Sequence, residues 1–188
     1  MDPTAPESPP LRDAPAPEPA ANLNLQAAVL VVDDSRTMRL ALIRALNNLG
    51  FKNITEAVNG RQALEMIRRQ AFDLMLLDIE MPEMNGIQVL FELRNDPQLN
   101  GLPVIVISGA EQEDTAVKCI EAGAEDYLPK PFNPTLLRAR VTTSLEKKRL
   151  RDLDRLRLAA TTSLSARARQ ATSAASRCPS SSASCSRT

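Results

Sequence analysis

Six consecutive apolar residues, Ala27–Val32, open the patterned part of the chain. A short, β-branched run without alternation marks a strand covered on both faces. Apolar positions then recur at helical spacing. Met38, Leu42, Leu46 and Leu49 line up with Ala41 and Ala45, and Gly50 follows as the expected C-cap. These two kinds of segment go on alternating. Ile54–Val58 predicts a short strand, and Gly60–Arg69 a helix with Ala63, Leu64 and Ile67 on one face. Asp73–Asp78, with Leu74–Leu77 inside it, predicts a strand, and Gly86–Arg94 a helix that groups Ile87, Leu90 and Phe91. Pro103–Ser108 contains Val104–Ile107, the clearest strand, and Glu113–Ala122 is helical up to Gly123. Asp126–Leu128 is a last short strand, and a helix begins near Pro134.

A β-α unit repeated five times, with strands buried on both sides, predicts an α/β fold: a parallel sheet with helices on both faces. Right-handed crossovers narrow the topologies. Five strands in a doubly wound sheet favour the flavodoxin-like order 2-1-3-4-5, with a site outside the carboxyl ends of strands 1 and 3. All six glycines fall between Gly50 and Gly123, so the folded unit is expected over residues 25–146. Residues 1–24 hold half of the 14 prolines, mixed with Ala and Glu. Such a composition buries too little apolar surface to offset chain entropy, and a disordered leader is expected. Residues 147–158 are expected to extend the last helix, with leucines among charges. Residues 159–188 turn to Ala, Ser, Thr and Arg without Gly or acids, and a disordered tail is expected.

Composition removes several classes of function. The chain has no histidine, which excludes His-based catalysis, His-built zinc sites and a phosphohistidine donor role. Aromatics make up 3% of the chain, so stacking on nucleic-acid bases is not its mode of action. Formal net charge is zero, with no bias toward DNA or an anionic membrane. Cys119, Cys178 and Cys185 form no disulfide framework, which points to a reducing compartment. No apolar run approaches the roughly 20 residues that span a bilayer. The expected location is the cytoplasm.

The chemistry gathers at the expected strand ends. Strand 1 ends in Asp33–Asp34, strand 3 in Asp78 and strand 4 in Ser108, and strand 5 is followed by Lys130–Pro131. In this fold the carboxyl ends share one edge, so three carboxylates, a hydroxyl and an ammonium would converge. Close carboxylates repel and raise one another's pKa, and a hard divalent cation removes the conflict. Magnesium suits, because it takes one or two carboxylates and keeps positions for water and phosphate oxygens. With Lys130 as a second positive group, a carboxylate can attack phosphorus in line. Each residue also has a plainer reading. Asp33 or Asp34 could be an N-cap, Asp78 a turn residue, Ser108 a cap, Tyr127 a half-buried strand aromatic and Lys130 a surface charge. Asn85–Gly86 reads as a turn or helix start without chemistry, and Cys119 as a small core residue. Their joint placement at matching strand ends outweighs the plain readings.

Val31–Ser35, Leu76–Pro82, Asn85–Gly86, Val106–Ala110, Gly123–Ala124 and Lys130–Phe132, in this order, resemble a response-regulator receiver domain of two-component signal transduction, similar to the chemotaxis regulators. The likeness covers nearly the whole folded unit. It implies Asp78 as the phosphorylation site, with Asp33 and Asp34 as the acidic pair that holds Mg2+, Asp34 directly and Asp33 through water. It implies that the backbone carbonyl of Glu80 completes the metal shell. Ser108 and Tyr127 would be the switch pair, and the Lys130–Pro131 bond would be cis. The implied partners are a sensor histidine kinase or phosphotransfer protein and a downstream effector, with no direct nucleic-acid or membrane contact. The surface of the fourth helix, fifth strand and fifth helix would carry the signal. Two copies would pair there or through the C-terminal helix.

Two rival functions share these residues. Asp78-Ile79-Glu80 nearly fits the D-x-D motif of small α/β aspartyl phosphatases, but those need a cap domain or further catalytic loops. A non-phosphorylated interaction module on the same fold would not need the acidic pair, Asp78 and Lys130. The Glu146–Arg157 stretch is expected to be a solvated helix, since Asp152 and Asp154 interrupt its basic run and no helix-turn-helix follows. The tail resembles GC-rich DNA translated out of frame. The chain is therefore expected to be a truncated or frame-shifted form of a longer regulator.

Overall fold

The computed structural model describes residues 24–109 and 113–175. Residues 1–23 of the expected leader, Ala110 of the quoted motif and residues 176–188 of the expected tail lie outside that range. Five strands and five helices alternate: β1 Val29–Val32, α1 Arg36–Asn48, β2 Ile54–Ala57, α2 Gly60–Arg69, β3 Leu74–Asp78, α3 Gly86–Asn95, β4 Val104–Gly109, α4 Glu113–Glu121, β5 Asp126–Lys130 and α5 Pro134–Ala175. The strands form one parallel sheet in the order β2-β1-β3-β4-β5, as expected from the pattern.

The unalternated strands are explained by two cores. Leu30, Val32, Met75, Leu77, Val104 and Val106 pack with Ala63, Leu64 and Ile67 of α2, Val89, Leu90 and Leu93 of α3, and Cys119 of α4. The interleaved residues Val29, Val31, Leu74, Leu76, Ile105 and Ile107 pack with Leu42 and Leu46 of α1 and Leu137, Val141 and Leu145 of α5. Successive strand side chains point to opposite faces, so a sheet covered on both sides needs apolar residues at every position.

Local signals set the helix ends. Ser35 caps α1, its Oγ accepting from the Met38 N–H at 3.5 Å, so neither Asp33 nor Asp34 serves as the cap. Gly50, at φ +97°, turns the chain after α1 in a region that other residues avoid. Asn85 and Gln88 form a capping box on α3. Asn133 accepts from the Thr135 N–H at 2.8 Å, and Pro134 takes the first helical position of α5.

Most element ends shift by one or two residues from the sequence reading, and two differences change the picture. β5 runs through Pro129 to Lys130 instead of ending at Leu128, with Ser108 beside Pro129 and Gly109 beside Lys130. Pro129 has no N–H to donate, and β5 is the edge of the sheet, where a missing N–H is tolerated. α5 continues to Ala175 rather than stopping near Leu158. No proline or glycine interrupts residues 135–175, and alanine, the best helix former, recurs through 159–175. The stretch 159–175, expected to be disordered, is therefore helix.

Candidate functional site

Register brings the acidic residues together. Val32 lies beside Leu77 in the β1–β3 ladder, so the next residue of each strand, Asp33 and Asp78, meet at the carboxyl edge. Alternation sends Asp78 to the face shared by Leu74 and Leu76, and Asp33 to that of Val29 and Val31. Lys130 follows Leu128 on the same face. Asp33 and Asp78 are 1% and 3% exposed, whereas Asp34 is exposed. One carboxylate oxygen from each of Asp33, Asp34 and Asp78 lies within 4.8 Å of the others.

Lys130 is the cation of this group. Its Nζ is 3.0 Å from Asp33 Oδ2 and 2.9 Å from Asp78 Oδ1. Burial alone would pull the Lys130 ammonium down, but the bonds to Asp78 and Asp33 outweigh it and hold the pKa above the usual lysine value. Asp78 is pushed up, mainly by burial and further by Asp33. Lys130 and the backbone N–H of Glu80 oppose the rise without cancelling it. Asp78 Oδ1 is buried, and the Lys130 ammonium at 2.9 Å is the one close polar partner it has among the described residues. Three carboxylates facing one ammonium leave two negative charges uncompensated, and one buried oxygen keeps spare acceptor capacity. That is the donor set a hard dication takes, so these residues fit Mg2+.

The other expected residues sit nearby in different ways. Ser108 is 3% exposed at the end of β4, with alternation placing it on the face of Val104 and Val106. Among the described residues no hydrogen bond ties its hydroxyl to Asp78. Tyr127 sends its hydroxyl to the Ser108 and Gly109 carbonyls, each at 3.4 Å. Its pKa is raised, chiefly by burial. Glu80 has an exposed side chain and meets Asp78 through its N–H. The Lys130–Pro131 peptide is cis. Cys119 is a fully buried core residue.

Two residues that the sequence reading left without a role shape the site. Gly86 begins α3 hard against β3. A Cβ there would overlap the Asp78 carbonyl oxygen and sit 2.9 Å from the Ile79 Cα. Its N–H donates to the Ile79 carbonyl at 3.0 Å, so the helix start braces the backbone of Asp78. Arg39 is 7% exposed and donates to the Asp33 and Asp34 carbonyls. The available signals were faint: a glycine opening a helix, and a basic residue in a first turn that contains no acid, the wrong end for the helix dipole.

A sequence model of the response regulator receiver domain matches residues 29–142. The chemotaxis protein CheY-3 of Vibrio cholerae is 35% identical over 127 residues, which cover 68% of this chain and 98% of that protein. The chemotaxis protein CheY of Pseudomonas aeruginosa is 35% identical over 119 residues, covering 63% of this chain and 96% of that one. Among solved structures, a putative response regulator from Chloroflexus aurantiacus superposes with a TM-score of 0.62 at 30% identity, covering 64% of this chain and 98% of that one. A probable two-component system response regulator/GGDEF domain protein gives 0.63 at 35% identity, covering 67% and 52%.

Proposed function

The chain belongs to the response-regulator receiver family, and from that premise we propose that Asp78 accepts a phosphoryl group at a magnesium site built from Asp33, Asp34 and Asp78. The supporting observation is the buried Asp78 carboxylate, which shares the single ammonium of Lys130 with Asp33 in a group of three carboxylates. Mg2+ bound there would neutralise that surplus and polarise the incoming phosphoryl oxygens. The carbonyl of Glu80 is the further oxygen ligand proposed.

The remaining steps belong to the chain's own residues. A phosphohistidine on a sensor kinase or phosphotransfer protein is the proposed donor, since this chain has no histidine of its own. A carboxylate oxygen of Asp78 attacks phosphorus. The new O–P bond forms as the P–N bond breaks; the leaving nitrogen keeps the electron pair, and a proton on the other ring nitrogen of the phosphohistidine lets it depart as neutral imidazole. Burial raises the Asp78 pKa in the metal-free protein, and Mg2+ bound beside it would favour the carboxylate form that attack requires. Lys130 remains charged and moves its attraction from the carboxylates to the transferred group. Ser108 hydrogen-bonds a phosphoryl oxygen, and Tyr127, whose hydroxyl rests on the end of β4, follows it inward. The surface of α4, β5 and α5 then presents the change. Val117 and Ile120 of α4 are exposed there for an effector or a second copy. The helical extension of α5 past Leu145 is a proposed connector. No described helix is long and apolar enough to cross a membrane, and a cytoplasmic setting is proposed.

Acetyl phosphate with MgCl2 tests this. One phosphoryl equivalent per chain is expected, sensitive to hydroxylamine as an acyl phosphate is, and absent without magnesium. Sustained many-turnover hydrolysis of small phosphate esters would instead favour the aspartyl phosphatase reading. No labelling under any condition would favour the interaction module.

A further inference from the structure

Asp34 presents a problem of placement. Its side chain is exposed and makes no hydrogen bond or ion pair among the described residues, yet it lies with Asp33 and Asp78 in the metal-sized group. Nothing on the carboxylate itself holds it, so its position depends on the backbone of the β1–α1 loop. Four hydrogen bonds fix that backbone. The Asp33 N–H donates to the Ala57 carbonyl at 3.3 Å. The Ser35 N–H donates to Asp33 Oδ1 at 2.8 Å. Arg39 Nη1 donates to the Asp33 carbonyl at 2.8 Å and to the Asp34 carbonyl at 3.1 Å.

Arg39 is costly where it stands. It is a nearly buried cation in the first turn of α1, where the helix dipole disfavours positive charge. Its countercharge is Glu56 on β2, whose Oε2 accepts from Arg39 Nε at 3.0 Å. Glu56 lies beside Val31 in the β1–β2 ladder, so the guanidinium ties the start of α1, the edge strand and the acidic loop into one unit. The rigid planar fork matters here. Nε engages the carboxylate while Nη1 spans two successive carbonyls, a geometry that a single ammonium does not reproduce.

We propose that Arg39 is a positioning residue of the magnesium site, which holds Asp34 for the ion through its main chain and is itself aimed by Glu56. The proposal rests on the magnesium reading given above. It runs against simple electrostatics. Arg39 is a cation close to the ion's position, so removing its charge should tighten magnesium binding if charge alone mattered. If placement matters more, removal weakens binding. Outer partners of this kind typically alter metal affinity about 10- to 100-fold.

The test is calorimetric titration of the full chain with MgCl2, with melting temperature measured in parallel on wild type, Arg39→Met and Arg39→Lys. The positioning role predicts weaker magnesium binding in both variants, about tenfold or more, including Arg39→Lys, which keeps the charge. Tighter binding by Arg39→Met with unchanged binding by Arg39→Lys would overturn it in favour of charge alone. Lower melting temperatures with unchanged affinity in both would overturn it in favour of a purely structural arginine. Should Arg39→Met fail to fold, Arg39→Lys and Glu56→Gln carry the test, with weakened affinity again expected and unchanged affinity overturning the proposal. A wild type that does not bind magnesium would sink the magnesium reading and this inference together; unaltered variants beside a binding wild type sink this inference alone.

Discussion

The two edges of the sheet hold the same kinds of charged side chain and leave them in opposite states. At the carboxyl edge, Asp33, Asp34 and Asp78 face the single ammonium of Lys130. At the opposite edge, Asp73, Glu125 and Asp152 face Lys147, Lys148 and Arg151. Lys148 lies 3.1 Å from Asp73 and 2.9 Å from Asp152. Arg151 lies 2.7 Å from Glu125, and Lys147 4.0 Å. The lower set is balanced, and it clips the outgoing part of α5 to the starts of β3 and β5. The upper set is short of positive charge, and its central residues are buried. A charge-balanced set asks for no ligand, even with Glu125 largely covered. An unbalanced buried set is held in a costly state by the surrounding core and would gain from a cation. The solvated helix expected over Glu146–Arg157 is thus partly an anchored one.

The contrast can be broken most completely at Asp78. Asp78→Asn should abolish labelling by acetyl phosphate, because an amide is no nucleophile, and the fold should survive the nearly isosteric change. Stoichiometric acyl phosphate on another residue of the variant would remove Asp78 from its role. Gly86→Ala should come next. Its Cβ would collide with the Asp78 backbone, so α3 or the end of β3 must shift. A loss of about 2 kcal/mol in denaturant melts, of the size overpacking causes, should accompany slower labelling. Wild-type stability and rate would show that α3 does not brace the site. Asp34→Ala should weaken magnesium about tenfold or more in calorimetric titration, since one of few charged ligands is lost. Unchanged affinity would leave Asp34 outside the metal shell.

Acidity sharpens the same comparison. The folded protein holds the Asp78 proton more tightly than the unfolded chain does. Stability from this group is therefore greatest below the ordinary carboxylate range and is lost as pH rises to the raised value. Without magnesium, Asp78→Asn should become progressively more stable than wild type across that window, and MgCl2 should narrow the gap. Melting curves against pH that run parallel would contradict the burial argument. The smallest effect is expected at the lower edge. Glu125→Ala should cost about 0.5–1 kcal/mol in thermal melts and leave magnesium affinity and labelling unchanged. A changed affinity there would mean that the two edges are coupled through β5.

The elements were legible because burial on both faces writes an unmistakable period. Val29–Val32, Leu74–Leu77 and Val104–Ile107 have apolar side chains at every position because each side of the sheet has its own core. Asp33, Asp78 and Ser108 were legible because each directly follows such a run. The course of α5 beyond Leu158 was not, since alanine, serine and arginine without a period leave the end of a helix undefined. Lys130 was placed after its strand because the apolar pattern of β5 ends at Leu128, whereas the ladder to β4 runs on to Lys130.

By itself the sequence determined the strand and helix order, the parallel doubly wound sheet, and the set of Asp33, Asp34, Asp78, Ser108 and Lys130 at one edge. These follow from local periodicity and from side-chain alternation, which act over a few residues. The tertiary structure alone decided which of them touch. Register joined Asp33, Asp78 and Lys130, residues separated by up to 97 positions, and placed Ser108 beside the group without a bond to Asp78. It also set Arg39 against two main-chain carbonyls, with Glu56 as its countercharge, and Gly86 against the Asp78 backbone. A main-chain carbonyl carries no mark of its own in a sequence, so the side chains that hold it become visible only when the chain has folded.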